Sequence, residues 1–266
     1  MKLVRGFAVA AATFCLAGCT WLEPPVDASD IADPVLGPGE ELVGAIPGPG
    51  TPAYRFSFGG SACDSAEGVV DWAGQAMSMA ITGAGPEAGT SISLRVLLLP
   101  ESSWFRVVTS PAEIGPVLDM PSGWIAFDPS RVDDFAESGN TVGDSGDHDP
   151  IQLTKLLEAS NGVARAGHRR YSGTLDLTKA TGTLLLSAEK IRKLGDAAAA
   201  VPFTASVDAA GRLSALTADI PAVGGQAGGT CRIALDDYGK APTPKEPPAD
   251  ERGDADEDRI YEILNS

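Results

Sequence analysis

Residues 75–83 read QAMSMAITG, with Met77, Met79 and Ile81 at alternate positions and the smaller Ser78, Ala80 and Thr82 between them. An apolar period of two puts one set of side chains on a buried face and the other on the opposite face, which is the signature of a half-buried strand. Residues 91–100, SISLRVLLLP, repeat the pattern with Ile92, Leu94, Val96 and Leu98. Upstream, YRFSF (54–58) and GVVDWAG (68–74) extend it. Downstream, SWFRVVTS (103–110) and GWIAFDP (123–129) read as shorter strands broken by Pro or Gly. Long antiparallel strands that bend to share one apolar face are the simplest account of so many adjacent alternations.

The period then changes. DPIQLTKLLEASNG (149–162) has Leu153, Leu156 and Leu157 at helical spacing, Asp149 placed as an N-cap and Pro150 at the first helical position. Asn161-Gly162 is expected to end this helix. A second helix is expected in SAEKIRKLGDAAAA (187–200), with Ile191 and Leu194 on one side. Strands resume in VPFTASVDAAGRLSALTADIP (201–221), a hairpin turning at Ala210-Gly211, and in GGTCRIALDDYG (228–239). The fold class expected is therefore α+β.

The two ends differ in character. MKLVRGFAVAAATFCLAGC (1–19) carries Lys2 and Arg5, an apolar run from Phe7 to Leu16 and small residues before a cysteine. That is an export signal, too short to span a membrane. Leu16-Ala17-Gly18-Cys19 resembles the bacterial lipobox, and the resemblance implies a diacylglyceryl thioether on Cys19 with cleavage just before it. The expected organisation is a signal peptide at 1–18, a Pro/Gly-rich tether at 19–52, a folded domain at 53–245 and an acidic, disordered tail at 246–266. Before Tyr54, Pro47 and Pro49 limit EELVGAIPGPG (40–50) to a short turn. In the tail, six acids face one arginine between Asp250 and Asp258. The whole chain has 36 acids and 20 bases, a net charge of −16, which argues against nucleic acid as a partner.

RRYSGTLDL (169–177), VPFTASVDAAGRLSAL (201–216) and CRIALDDYGKAPTPKEPPADE (231–251) resemble segments of the actinobacterial cell-envelope lipoproteins of the LppX, LprA, LprF and LprG type. DPIQLTKLLEASNGV stands where that family has its mid-chain helix, and GVVDWAGQAMSMAITG resembles its second and third strands. The resemblance covers roughly Tyr54 to Glu251. It implies a half-barrel similar to the LolA and LolB carriers, a strongly curved antiparallel sheet with helices packed on its concave side over an apolar cavity. It also implies binding or shuttling of an acylated or other apolar ligand, with Met77, Met79, Ile81, Leu94, Val96, Leu98, Phe203 and Val207 as cavity candidates. Read on strand faces alone, the same side chains are equally those of an ordinary filled core.

Chemistry elsewhere is sparse. Residues 143–149, GDSGDHD, begin like the nucleophile loop of chymotrypsin-type peptidases. Both histidines, His148 and His168, follow Ser145, however, an order that family cannot use. His148 with Asp144, Asp147 and Asp149 matches no calcium loop or zinc pattern. His168, Arg169 and Arg170 read as the exposed flank of a strand. Neither catalysis nor a cofactor nor a metal is expected. Of four cysteines, Cys15 leaves with the signal and Cys19 is acylated; Cys63 and Cys231 remain in an oxidising compartment, as a disulfide or as two buried thiols. The expectation is a monomer, held to the extracytoplasmic face of the cell membrane by its lipid. It either carries an apolar ligand or, with a filled core, recruits another envelope protein.

Overall fold

The computed structural model describes residues 36–132, 149, 152–180, 183, 185–224, 227–254 and 256–265. The fold is α+β. Its strands are β1 (Tyr54–Gly59), β2 (Ser65–Asp71), β3 (Ala76–Ala84), β4 (Ser91–Leu98), β5 (Ser103–Ser110), β6 (Ile125–Ala126), β7 (Ser160–Gly167), β8 (Arg170–Leu175), β9 (Val201–Val207), β10 (Leu213–Ile220) and β11 (Gly229–Asp236). They form one antiparallel sheet in the order β6-β5-β4-β3-β2-β1-β11-β10-β9-β8-β7. Two consecutive meanders, β1 to β6 and β7 to β11, thus meet where the first strand pairs with the last. The sheet ends at β6 and β7 and is not closed into a barrel.

Local sequence sets the turns. Between β2 and β3, the Asp71 carboxylate accepts from Gly74 N at 3.0 Å and Gln75 takes the left-handed conformation at φ 48°. Between β9 and β10, Asp208 accepts from Ala210 N and Arg212 N and pairs with the Arg212 guanidinium at 2.7 Å, while Gly211 supplies φ 81°. This is the hairpin expected at Ala210-Gly211. Burial raises the Asp208 carboxyl, but the Arg212 and backbone donors win and hold it below its ordinary value.

The helices are short: α1 (Pro38–Gly44), α2 (Ile114–Val117), α3 (Leu153–Glu158), α4 (Ala188–Leu194) and α5 (Glu257–Leu264). α4 forms where expected, with the Ser187 hydroxyl accepting from Lys190 N and a 3-10 stretch at Gly195–Ala200 completing it. α3 also starts later than expected, with Gln152 rather than Asp149 as its N-cap and Leu153 rather than Pro150 as its first residue, although Asp149 Oδ2 still accepts from Thr154 N in the first turn. This helix stops earlier than expected. Ala159 is its C-cap, and Asn161-Gly162 belongs to β7, which pairs with β8 from Ser160 onward. SNGVARAG has no apolar alternation, so β7 carried no strand signal. Its ladder is irregular at Asn161/Ala164 and at Arg165/Gly167, and most of it is exposed.

Both expected boundaries move outward. The tether was placed through residue 52, yet Pro38–Gly44 is a helix: Pro38 opens it, Glu40 accepts from Gly37 N at 2.8 Å, and Pro47 and Pro49 come only after it has ended. Leu42 is buried, Glu41 pairs with Arg165 and accepts from the Tyr171 hydroxyl at 3.2 Å, and Ala45 O accepts from Leu213 N at 2.7 Å. The segment from 246 onward is folded as well. Glu246 accepts from the Ser102 hydroxyl, the Arg252 guanidinium lies 4.6 Å over the Trp104 ring, and Glu251 pairs with Arg106 at 3.0 Å. Trp124 and Arg252 form a parallel bridge beside β6, which covers one edge of the sheet. Asp256 then caps α5, Ile260 joins the core, and the Tyr261 hydroxyl accepts from Asp128 N. Composition misled here because the acids serve as caps and ion-pair partners, while a few well-spaced residues supply the docking.

Cys63, in the β1–β2 loop, and Cys231, in β11, stand at disulfide distance with Cα atoms 5.7 Å apart, 168 residues apart in sequence. Two measurements follow. Truncation after Ala241 is expected to lower stability by about 2–4 kcal/mol, the sum of a buried isoleucine and a guanidinium–indole stack, whereas a disordered tail could be removed without effect on melting. The double change Cys63→Ser and Cys231→Ser is expected to cost about 2–4 kcal/mol in denaturant unfolding, and non-reduced protein should resist alkylation at both positions.

Candidate ligand-binding face

Register decides which side chains share a face. Met77 pairs with Leu98 and Val70, Met79 with Val96 and Gly68, and Ile81 with Leu94 and Ala66. Six of the eight cavity candidates therefore form three adjacent cross-strand pairs on one side of β3 and β4. The rows continue across the junction of the meanders. Gly68 faces Phe56 and Phe56 faces Leu235; Ala66 faces Phe58, then Ile233, Leu216, Ala205 and Tyr171 in turn. One apolar face runs over both meanders. Sequence reading missed Phe56, Phe105, Leu216 and Leu235 as members of it, although the period-two spacing of YRFSF and SALTADI carries that signal.

Two glycines let the rows close up. A Cβ on Gly68 would stand 2.0 Å from Ser78 O and 2.6 Å from the Phe56 ring, and one on Gly173 would stand 2.9 Å from the Phe203 ring. Each aromatic ring thus lies over a glycine on the neighbouring strand, filling the gap left by the missing side chain. Phe203 pairs with Ala218 and Gly173, well away from β3 and β4, and Val207 ends β9 opposite Leu213. These two candidates belong to the same apolar face but not to the Met77–Leu98 group.

Exposure along this face is uneven. Met77, Val96, Leu98 and Phe203 are 1–2% exposed and Met79 is 8%, and they share one core cluster with Leu153, Leu156 and Leu157 of α3 and Ile191 and Leu194 of α4. Ile81, Leu94, Val107 and Val207 are only half-buried against the same cluster. Ile81, Leu94 and Val107 are one row, two residues along the strands from Met79, Val96 and Phe105. The β3–β5 part of the face is closed at one end and incompletely covered at the other.

Polar chemistry stays at the margins. Burial, reinforced by the Asp149 charge, pushes the Tyr54 phenol far above its ordinary range. Burial does the same to Tyr238, against the opposing Arg212 charge, so both phenols stay neutral at any physiological pH. Their ring centroids are 5.3 Å apart, and Tyr238 donates to Leu213 O at 2.6 Å. His168 and Arg169 form the exposed β7–β8 turn, with Arg170 opening β8, as the sequence suggested. Cys19, Asp144, Ser145, Asp147 and His148 lie outside the described residues. Among the described residues, no group of three His, Cys, Asp or Glu side chains is placed to hold a metal, and no helix is long and apolar enough to cross a membrane. No known protein-family model matches the chain, and no curated protein matches it in sequence.

Proposed function

We propose that the protein is a non-enzymatic, lipid-anchored component of the extracytoplasmic face of the cell membrane that binds or shuttles an apolar, acylated molecule. On this reading the sheet is a strongly curved half-barrel of the LppX, LprA, LprF and LprG type, with its helices on the concave side. The observation that supports the proposal is the single apolar face running across both meanders, whose side chains share one buried cluster with residues of the short helices and which is left half-covered at Ile81, Leu94 and Val107. An acyl chain laid along that end would gain about 0.8 kcal/mol for each methylene it buries. A face that is apolar over its whole width but not sealed over its whole length suits a guest that slides in from one side. The anchor on Cys19 would keep the domain within reach of the membrane from which such a guest comes.

A second reading has its own support. Met77, Val96, Leu98 and Phe203 admit almost no solvent, as expected of a filled core whose surface recruits another envelope protein. The change Val96→Trp separates the two. Against a ligand site, the indole takes the space of an acyl chain, so co-purifying lipid measured by native mass spectrometry should disappear while the melting temperature holds. In a filled core, the same change overpacks and costs about 1–3 kcal/mol in a protein that never held lipid. That second outcome would replace the carrier with the interaction module.

The anchor is tested separately. Cys19→Ala is expected to abolish the acyl mass and to leave an unprocessed precursor in the producing cell. Normal maturation of this variant would remove the lipid anchor from the proposal.

A further inference from the structure

The other face of the sheet holds a trough of about 520 Å3 that the apolar face does not explain. Alternation puts Arg55 and Ser57 of β1, Glu67 and Val69 of β2, Ser78 and Ala80 of β3 and Arg95 of β4 on this side, away from Phe56, Gly68, Met79 and Val96. Arg95 faces Ala80, Ala80 faces Glu67 and Glu67 faces Ser57, so these four make one row running across the strands. With neighbouring strands about 4.8 Å apart, the row is about 14 Å long, enough for a short oligomer. Ile125 pairs with Phe105, which brings the preceding Trp124 alongside Arg106 and sets its half-buried indole at one end of the trough. Asp236, opposite Arg55, lies at the other end. The small Ser57, Ser78 and Ala80 alternate in the lining with the longer Arg55, Glu67 and Arg95.

The charges in the trough are of both signs and are not spent on each other. Arg55 is held by Asp237 at 3.2 Å and Arg106 by Glu251 at 3.0 Å. Arg95, Glu67 and Asp236, all exposed, form no ion pair with a described residue, and the Trp124 indole N–H donates to none. Arg95 and the indole can only donate; Glu67 and Asp236, when ionised, can only accept. An anionic ligand would meet the two carboxylates and a cationic one would meet Arg95. Hydroxyl groups donate and accept, so a neutral polyhydroxylated ligand satisfies every one of these groups without like-charge repulsion. The indole adds a flat apolar surface for the apolar side of a sugar ring. We propose that this trough binds a neutral oligosaccharide, lying across β4 to β1 with one ring stacked on Trp124 and its hydroxyls shared between Arg95 and Glu67.

The site is separate from the apolar face, so its failure would leave the lipid-carrier reading untouched. The test titrates the full chain with trisaccharides of glucose, galactose, mannose and N-acetylglucosamine, followed by calorimetry and indole fluorescence. At least one should bind at concentrations below the order of 10 mM. Trp124→Ala and Arg95→Ala should each weaken that binding about tenfold or more, and Trp124→Phe, which keeps a ring, should restore most of it. Ala80→Trp, which fills the trough, should abolish binding without relying on any change at the sheet edge. Melting temperatures of the variants report whether each remains folded. The proposal is overturned if no member of the panel binds, if binding survives both Trp124→Ala and Ala80→Trp in folded protein, or if the zwitterionic tripeptide Lys-Ala-Glu binds while every sugar is inert.

Discussion

The structure depends on one ladder, the antiparallel pairing of β1 with β11. Arg55 to Gly59 face Asp236 to Arg232, and through them a six-strand meander and a five-strand meander become a single sheet. The rows on both faces cross this ladder. On the core side Phe56 meets Leu235 and Phe58 meets Ile233; on the other side Arg55 meets Asp236. Without it, each meander would present a raw strand edge and half an apolar face. The Cys63–Cys231 pair, at disulfide distance, lies beside this junction and sets the loop after β1 against β11 itself, so it and the hydrogen-bonded ladder sit at the same seam.

The helices then follow from what the sheet leaves uncovered. α3 and α4 contribute Leu153, Leu156, Leu157, Ile191 and Leu194 to the same buried cluster as the strands, while α1 is held by Glu41 to Arg165 and Tyr171 near the β7 edge. None of these helices exceeds two turns or so, and none would be stable alone; each forms because an apolar stripe has a face to dock on. The far side of the sheet is treated differently. There the chain after β11 crosses β5 and β6 through Glu246, Glu251 and Arg252 and leaves the neighbouring strands open to solvent as the trough.

Much of this was legible in the residues. Strict alternation in QAMSMAITG and SISLRVLLLP placed β3 and β4 and predicted which side chains share a face, because a period of two has only one geometric reading when one face is buried. The hairpin at Ala210-Gly211 and the helix after Ser187 were legible for similar reasons of turn and cap chemistry. β7 was not, since SNGVARAG is an exposed edge whose pairing is held by the backbone and leaves no apolar trace. The C-terminal segment was misread because its folding rests on three or four spaced contacts in a run of Pro and acid, and composition averages them away. The trough was invisible to pattern reading altogether. Arg95, Glu67 and Trp124 come together only through the register of five strands.

A sheet whose first and last strands lie side by side at its centre cannot be assembled in the order in which it is made. The strands of the first meander can pair with their successors as they emerge, but β1 has to wait through more than a hundred residues before its second neighbour exists. Loop closure over that distance is entropically costly and such topologies fold slowly, so the β1 edge stays open for the longest part of the process. Its outward side chains meet that exposure with Arg55 and Ser57 on the polar face, and the strand ends at Gly59, before the loop that carries Cys63. The arrival of β11 is thus the step that turns two meanders into one sheet and carries the rows on both faces across the seam.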